Sequence, residues 1–251
     1  MIAVYSSTVF TGFGTVLNVA TIILGTAIGT LVGAKLSSKS QVLITDILGL
    51  VTFLGAASAI SPLWSQDFIS ALPDGSPLLV ILGALLIGGL IGHGLKLEDR
   101  LDAFGERLRS QFGASREGKF VEGFVSASLL FVIGPLAILG SISDGAGQGI
   151  EQLILKSSLD FFASIAFASS LGWGVAASAI PLFIYQGSWT LVGLLLGSVL
   201  DAYQIAAMTI VGGLMLAAIA LRLLDIKKIA IGNLLPALAV APILATLLHI
   251  F

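Results

Sequence analysis

The feature that most constrains this chain is a series of apolar blocks, each about as long as a helix that crosses a bilayer. Such a helix needs about 20 mostly apolar residues. Eight blocks meet that length: residues 15–34, 42–60, 77–94, 122–142, 150–171, 175–199, 203–224 and 233–250. Turn-forming or charged stretches part them, as at Ser37-Ser38-Lys39-Ser40, Pro73-Asp74-Gly75-Ser76 and Asp144-Gly145. The break at Gly172-Trp173-Gly174 carries no charge and rests on its glycines. Only 10% of the residues are charged and 57% are hydrophobic, where a soluble domain carries about a quarter charged. Lipid must therefore solvate most of the surface. The expected fold class is all-α, a polytopic membrane bundle of about eight transmembrane helices forming one domain over residues 1–251.

Charge placement orients the bundle. With eight spans, one side collects Lys35, Lys39, Lys96, Arg100, Arg107, Arg109, Arg116, Lys119, Arg222, Lys227 and Lys228, and the other receives only Lys156, eleven against one. Cytoplasmic loops are enriched in Lys and Arg, so the loops after spans one, three and seven are predicted inside and both termini outside. Merging the fifth and sixth blocks would move Arg222, Lys227 and Lys228 outside and spoil the split. The net charge is −2 without a basic stripe, which argues against nucleic acid as a partner. Residues 1–14 hold no Lys or Arg, so a removable signal peptide is not expected. The absence of cysteine excludes disulfides, thiolate metal sites and cysteine nucleophiles.

The longest inside connection, 97–112, has its own pattern. Leu97, Leu101, Phe104, Leu108 and Phe112 recur every three or four positions opposite a charged face. This predicts a helix lying in the membrane interface or packing on its own bundle.

Small residues form ladders at Gly25, Gly29 and Gly33, at Gly88 and Gly92, and at Gly193 and Gly197. They allow close helix approach where the hydrophobic effect does not drive association. Packing within one subunit and a homodimer seam through these glycine-rich faces are both open at this point. Shifting 29–56 by 164 places Gly29, Leu31, Gly33, Leu36, Thr45, Gly49, Leu50 and Ala56 on identical residues at Gly193, Leu195, Gly197, Leu200, Thr209, Gly213, Leu214 and Ala220. The first and sixth spans run in opposite directions, so the match predicts an inverted repeat, a device of many secondary transporters.

Ionisable groups at membrane depth are costly and default to functional hypotheses. Asp160 lies deep in the fifth block, with Lys156 one helical turn before it. Two readings stand side by side: a neutralised pair locking helices together, and a carboxylate that binds solute, cation or proton. Glu122 opens the fourth span, with Ser126 and Ser128 on the same helix; Asn18 and Gln186 are the amides of spans one and six. Gly134-Pro135 interrupts span four, and Pro181 is expected to interrupt span six. Proline frees a carbonyl, tolerated at depth only inside protein or beside a wet cavity. Asn233 followed by Pro236 reads as a helix start. His93 and His249 stand alone near helix ends, so no metal is expected. No HExxH, nucleophile elbow or phosphate loop occurs, and no cofactor is expected. Asp144-Gly145-Ala146-Gly147 reads as an external turn rather than an anion nest.

Several stretches resemble the YdfK/YqgA-like family of bacterial membrane proteins, a domain of unknown function. They are Gly14-Thr-Val-Leu-Asn18, Phe120-Val-Glu122-Gly-Phe-Val-Ser-Ala-Ser-Leu-Leu-Phe, Ala137-Ile-Leu-Gly-Ser141-Ile with Asp144-Gly145, Lys156-Ser157-Ser-Leu-Asp160, Ala166-Phe-Ala-Ser169, Tyr185-Gln186-Gly187, Ile226-Lys-Lys and Asn233-Leu-Leu-Pro236-Ala. About a dozen residues precede the family's usual start, and Pro135 stands where a non-proline residue is expected. The resemblance implies a bacterial inner-membrane setting and supplies no activity. The expectation is therefore a transporter of a small polar solute or ion, with a midplane site of Asp160, Lys156, Gln186, Glu122, Ser126 and Asn18, and not an enzyme. An intramembrane enzyme using Asp160 or Glu122 as acid–base group, and a structural or partner subunit, are the alternatives.

Overall fold

The computed structural model describes residues 10–111, 119–197 and 200–250. Phe112 and Arg116 of the inside connection, and Val199 at the end of the sixth block, lie outside them, as do residues 1–9. Among the described residues the chain is helical throughout, with no strand. The helices are α1 Phe13–Gly33, α2 Ser38–Ile60, α3 Gln66–Ser70, α4 Ser76–Gly94, α5 Leu97–Gln111, α6 Phe120–Ile133, α7 Pro135–Gly145, α8 Glu151–Leu171, α9 Gly174–Ala177, α10 Ala179–Leu196, α11 Ala202–Leu223 and α12 Ala237–His249. Short 3-10 turns occupy Ser61–Trp64 and Ile231–Leu234. The helices gather into two compact units where one domain was expected. The first takes the described residues of Met1–Thr45 and Gly105–Val199, the second those of Asp46–Phe104 and Leu200–Phe251.

Seven stretches are long and apolar enough to cross a membrane, and α6 with α7 make an eighth if that bent pair is one span. Their outward faces are greasy: Leu31, Leu90 and Leu195 are each 71% exposed and Leu54 72%. Water would not tolerate such continuous apolar surface, whereas lipid does. The α6–α7 break follows from local chemistry. Pro135 has no N–H and crowds the residue before it, so Gly134 adopts an extended φ −70°, ψ 143° and the two helices diverge by 61°.

Chain direction decides whether this pair crosses. In the first unit, Gly25, Gly29 and Gly33 of α1 face Phe161, Ile165 and Ser169 of α8 in step, so the two helices run the same way. If α2 and α4 each cross once, α8 is parallel to α1 only when α6–α7 crosses too. Gly193 of α10 lies over Ile142 of α7, and Gly145 over Thr190, so these two helices run in opposite directions where they touch. With α2 and α4 each crossing once, the parallel run of α1 and α8 makes the bent pair the eighth span.

Span six pauses at Ser178 between α9 and α10, where the backbone keeps helical angles of φ −64°, ψ −17°; Pro181, three residues on, has no N–H to meet the Ala177 carbonyl. One sequence expectation is corrected here. The glycine ladders, read also as a homodimer seam, are occupied by the chain's own helices at every position but Gly197. A Cβ at Gly25 would come within 2.6 Å of the Phe161 carbonyl oxygen, and Gly88 and Gly92 are pressed against Ala237 and Asn233. A face already filled has nothing left to offer a second copy. The uncharged break at Gly172-Trp173-Gly174 is real: Gly172 ends α8 at φ 75°, a left-handed conformation natural to glycine.

The 164-residue shift reappears in the helix boundaries. Adding 164 to α1 (13–33) gives 177–197, and α10 runs 179–196; adding it to α2 (38–60) gives 202–224, and α11 runs 202–223. In the second unit the matched glycines exchange partners. Gly49 meets Leu224 and the Ala220 carbonyl, while Gly213 meets Ile60 and the Ala56 carbonyl. Since 49, 56 and 60 map onto 213, 220 and 224, each contact is the image of the other, as a two-fold relation requires.

In the second unit, Glu98 at the start of α5 accepts from Arg222 Nη1 at 3.0 Å and from the Gly232 N–H at 2.6 Å. Its own N–H donates to Asn233 Oδ1 at 3.0 Å. Asn233 thus caps α5 rather than opening its own helix, and the charged end of α5 is tied down rather than solvated. Gly105 and Leu108 are buried, so the apolar face of α5 packs against protein.

Candidate functional site

The site is assembled in the first unit because glycine lets α1 close on α8. Asn18 and Ile22 lie on the same stripe of α1 as Gly25, Gly29 and Gly33, and all are buried. The close approach therefore brings a polar side chain against α8 at the level where Asp160, the tenth of the helix's 21 residues, sits. Lys156 Nζ donates to Asp160 Oδ2 at 2.7 Å, the i,i+4 pairing that helix geometry favours. Asn18 Nδ2 donates to the same oxygen at 2.9 Å and reaches Gln186 Oε1 of α10 at 3.5 Å. One step further along, the Thr15 and Thr190 hydroxyls lie 3.5 Å apart, and Thr190 donates to the Gln186 carbonyl. Asn18 and Gln186 are wholly buried; Lys156 is 5% and Asp160 7% exposed.

Three helices thus contribute to one charged and amide cluster. Ser126 of α6 is 1% exposed and its oxygen has no partner. Glu122, a turn earlier on α6, is half-buried and joins none of these bonds. Of the six predicted site residues the structure links four, Asn18, Lys156, Asp160 and Gln186.

Burial of an ion pair is favourable only when the remaining lone pairs and protons are satisfied. Here they are not. Six buried side-chain atoms among the described residues have no partner: Asn18 Oδ1, Thr26 Oγ1, Ser126 Oγ, Ser157 Oγ, Ser164 Oγ and Gln186 Nε2. All belong to the first unit. Each such atom costs about 1–3 kcal/mol if nothing meets it. Thr26, Ser157 and Ser164 went unnoticed in the sequence, although Ser157 and Ser164 stand three before and four after Asp160 and so share its face.

A separate cleft of about 580 Å³ in the first unit is lined by Val19, Ile23, Phe120, Trp173, Ile180 and Phe183, among other apolar residues. It takes in none of the polar cluster. Asp144, predicted in an external turn, is a buried residue of α7. Its two carboxylate oxygens accept the Gly12 and Gly14 N–H groups, each at 3.0 Å. It satisfies donors that the first turn of α1 leaves free, with a negative charge at the favourable end of the helix dipole.

The family described as Protein of unknown function (DUF554) matches residues 13–246. Uncharacterized membrane protein YdfK of Bacillus subtilis (strain 168) is 33% identical over 239 residues, covering 95% of this chain and 98% of that protein. Uncharacterized protein YqgA of Escherichia coli (strain K12) is 31% identical over 232 residues, covering 91% and 94%. No solved structure matches the chain. With the match running over nearly the whole length of the bundle, the chain belongs to the DUF554 family.

Proposed function

We propose that this protein is a secondary transporter of a small polar solute or ion in the bacterial plasma membrane, and not an enzyme. The observation that carries the reading is the incompletely satisfied polar cluster around Asp160. A purely structural lock would be expected to close its own hydrogen bonds, because open ones at membrane depth lower stability. Donors and acceptors left open on four spans suit a guest that enters and leaves. Two further features support it. Span four is broken at Gly134, and Pro181 removes a ladder hydrogen bond from span six, as in helices that frame midplane sites. The helix boundaries and glycine contacts repeat at an interval of 164 with opposite chain direction, which fits an inverted repeat able to expose one site to either side. Both termini are placed outside on the strength of the eleven-to-one charge split.

The test is flux. Purified protein in proteoliposomes, offered a panel of labelled polar solutes and ions, should show uptake of at least one that Asp160→Asn abolishes. The variant should keep its melting temperature within a few degrees, because an amide preserves the shape and one acceptor. Undiminished flux in Asp160→Asn would remove the site from the pathway. A variant that loses folding but keeps flux when stabilised would return Asp160 to a locking role.

A further inference from the structure

The apolar cleft of the first unit lies between α1 and the α9–α10 segment and opens where lipid surrounds the bundle. Its deepest residues are small: Ala177 and Ala179 are buried, while Ile23, Trp173, Phe183 and Ile184 stand exposed around them. Alanines flanked by aromatic and branched side chains leave the space of about 580 Å³. Apolar walls hold no water, and each void forfeits dispersion contacts. Hydrocarbon is therefore the natural filling.

Both ends of the cleft have a defined depth. At one end Phe120 and Trp173 meet: Gly174 is pressed against the Phe120 carbonyl, and Gly123 against Leu171, the last residue of α8. At the other, Val19 and Ile184 adjoin Asn18 and Gln186 in the chain, and Asn18 bonds Asp160 midway along α8. Ile184 lies eleven residues beyond Trp173, about 16 Å of helix rise. That is close to half of a hydrocarbon core about 30 Å thick. The cleft thus runs from one membrane surface to the midplane, the depth of a single leaflet.

The surface end is basic. Gly33 against Ser169, Ser170 on the Gln41 carbonyl and Gly105 against Phe124 place the neighbouring charges there. Among the described residues of the first unit these are Lys35, Lys39, Arg107, Arg109 and Lys119 against Glu106 and Glu122, and Glu106 is already paired with Arg109. Lys119 is exposed and directly precedes Phe120 at the mouth. Trp173 stands at the same level, and tryptophan favours the headgroup region. We infer that the cleft binds an anionic phospholipid of the lysine-rich leaflet, with one acyl chain over Ala177 and Ala179 and the phosphate at Lys119 beside Trp173. Boundary lipid of any kind would need only the apolar walls, whereas a net positive mouth favours a negatively charged headgroup. A second copy in the same membrane orientation would bring its own basic end against this one, and like charges repel. The assignment does not depend on the transport reading.

The chain's own fluorescence tests it. There are three tryptophans, Trp64, Trp173 and Trp189, so Trp64→Phe with Trp189→Phe leaves Trp173 as a reporter at the mouth. The full chain carrying both changes is reconstituted in phosphatidylcholine vesicles. Rising fractions of phospholipid brominated on its acyl chains are included, with either a phosphatidylglycerol or a phosphatidylcholine headgroup. Brominated phosphatidylglycerol should quench Trp173 at about fivefold lower mole fraction, the worth of one lysine beside an anionic headgroup. Lys119→Gln should bring the two curves together; the residue is exposed, so the protein stays folded. Ala176→Phe, which fills the cleft, should weaken quenching by both lipids. Equal quenching by the two headgroups in the parent chain would mean boundary lipid only and refute the site. A preference that survives Lys119→Gln would refute it too. Absence of quenching by either lipid would show the cleft covered by protein, as by a second copy, and would equally overturn the assignment.

Discussion

At the scale of single residues, the polar groups of the first unit divide by how completely they are satisfied. Asp144 is fully used: both oxygens hold N–H groups at the start of α1. It is therefore a structural acid. Asp144→Ala should cost about 1–2 kcal/mol, the usual worth of a helix cap, read as a lower melting temperature. Asp144→Asn, which keeps one acceptor, should cost less, and neither should abolish flux. Asp160 is the opposite case: Lys156 and Asn18 both donate to its Oδ2, and the hydroxyls of Ser157 and Ser164 on the same helix have no partner. Composition and position marked Asp160 as costly from the sequence alone, because a carboxylate amid Phe161 and Phe162 has no easy route to water. They did not mark Asp144, which sits beside glycines and looks like a turn. Its partners are about 130 positions away, and no local pattern reports them.

Among the elements, helix contacts are set by where side chains are missing. Gly49 and Gly213 lie at the α2–α11 contact, each filled by the other helix, while an added Cβ at Gly55 of α2 meets nothing. Gly49→Leu and Gly213→Leu should each destabilise the protein by roughly 1–3 kcal/mol or more through overpacking, and by comparable amounts if the two helices are related as the 164-residue shift implies. Gly55→Ala should be neutral or raise stability by up to about 1 kcal/mol, since alanine is the better helix former. Equal tolerance of all three in thermal melts would mean that α2 and α11 do not pack as described. Element boundaries were largely legible, including the weak break at Gly172-Trp173-Gly174, because glycine and proline act on their own neighbours.

For the whole molecule, the eight crossings are supported by two unrelated observations. The positive charges segregate eleven to one, and the parallel contact of α1 with α8 fits a bent α6–α7 pair that crosses. The chain contains no cysteine, so single introduced cysteines report without background. Cysteine at Asp67 or Asp201 should react with an impermeant reagent added outside intact cells, and at Arg116 or Lys228 only after the membrane is opened. Labelling of the Lys228 position from outside would overturn both the orientation and the count.

The sequence by itself determined the solvent, the number and approximate limits of the spans, and which polar residues are expensive. Each of these follows from composition over a window about as long as the bilayer is thick, and so needs no knowledge of neighbours. Only the tertiary structure decided what those residues face. It turned the glycine ladders inward, where the sequence kept a second subunit as an alternative, because close approach is a property of two helices and not of one. It made Asp144 a helix cap, Asn233 a cap for α5, and Glu98 the partner of Arg222. It also left Ser157 and Ser164, three before and four after Asp160, unbonded: a hydroxyl's fold-back bond is always available locally, and only the packing of other helices decides whether the oxygen turns away from it.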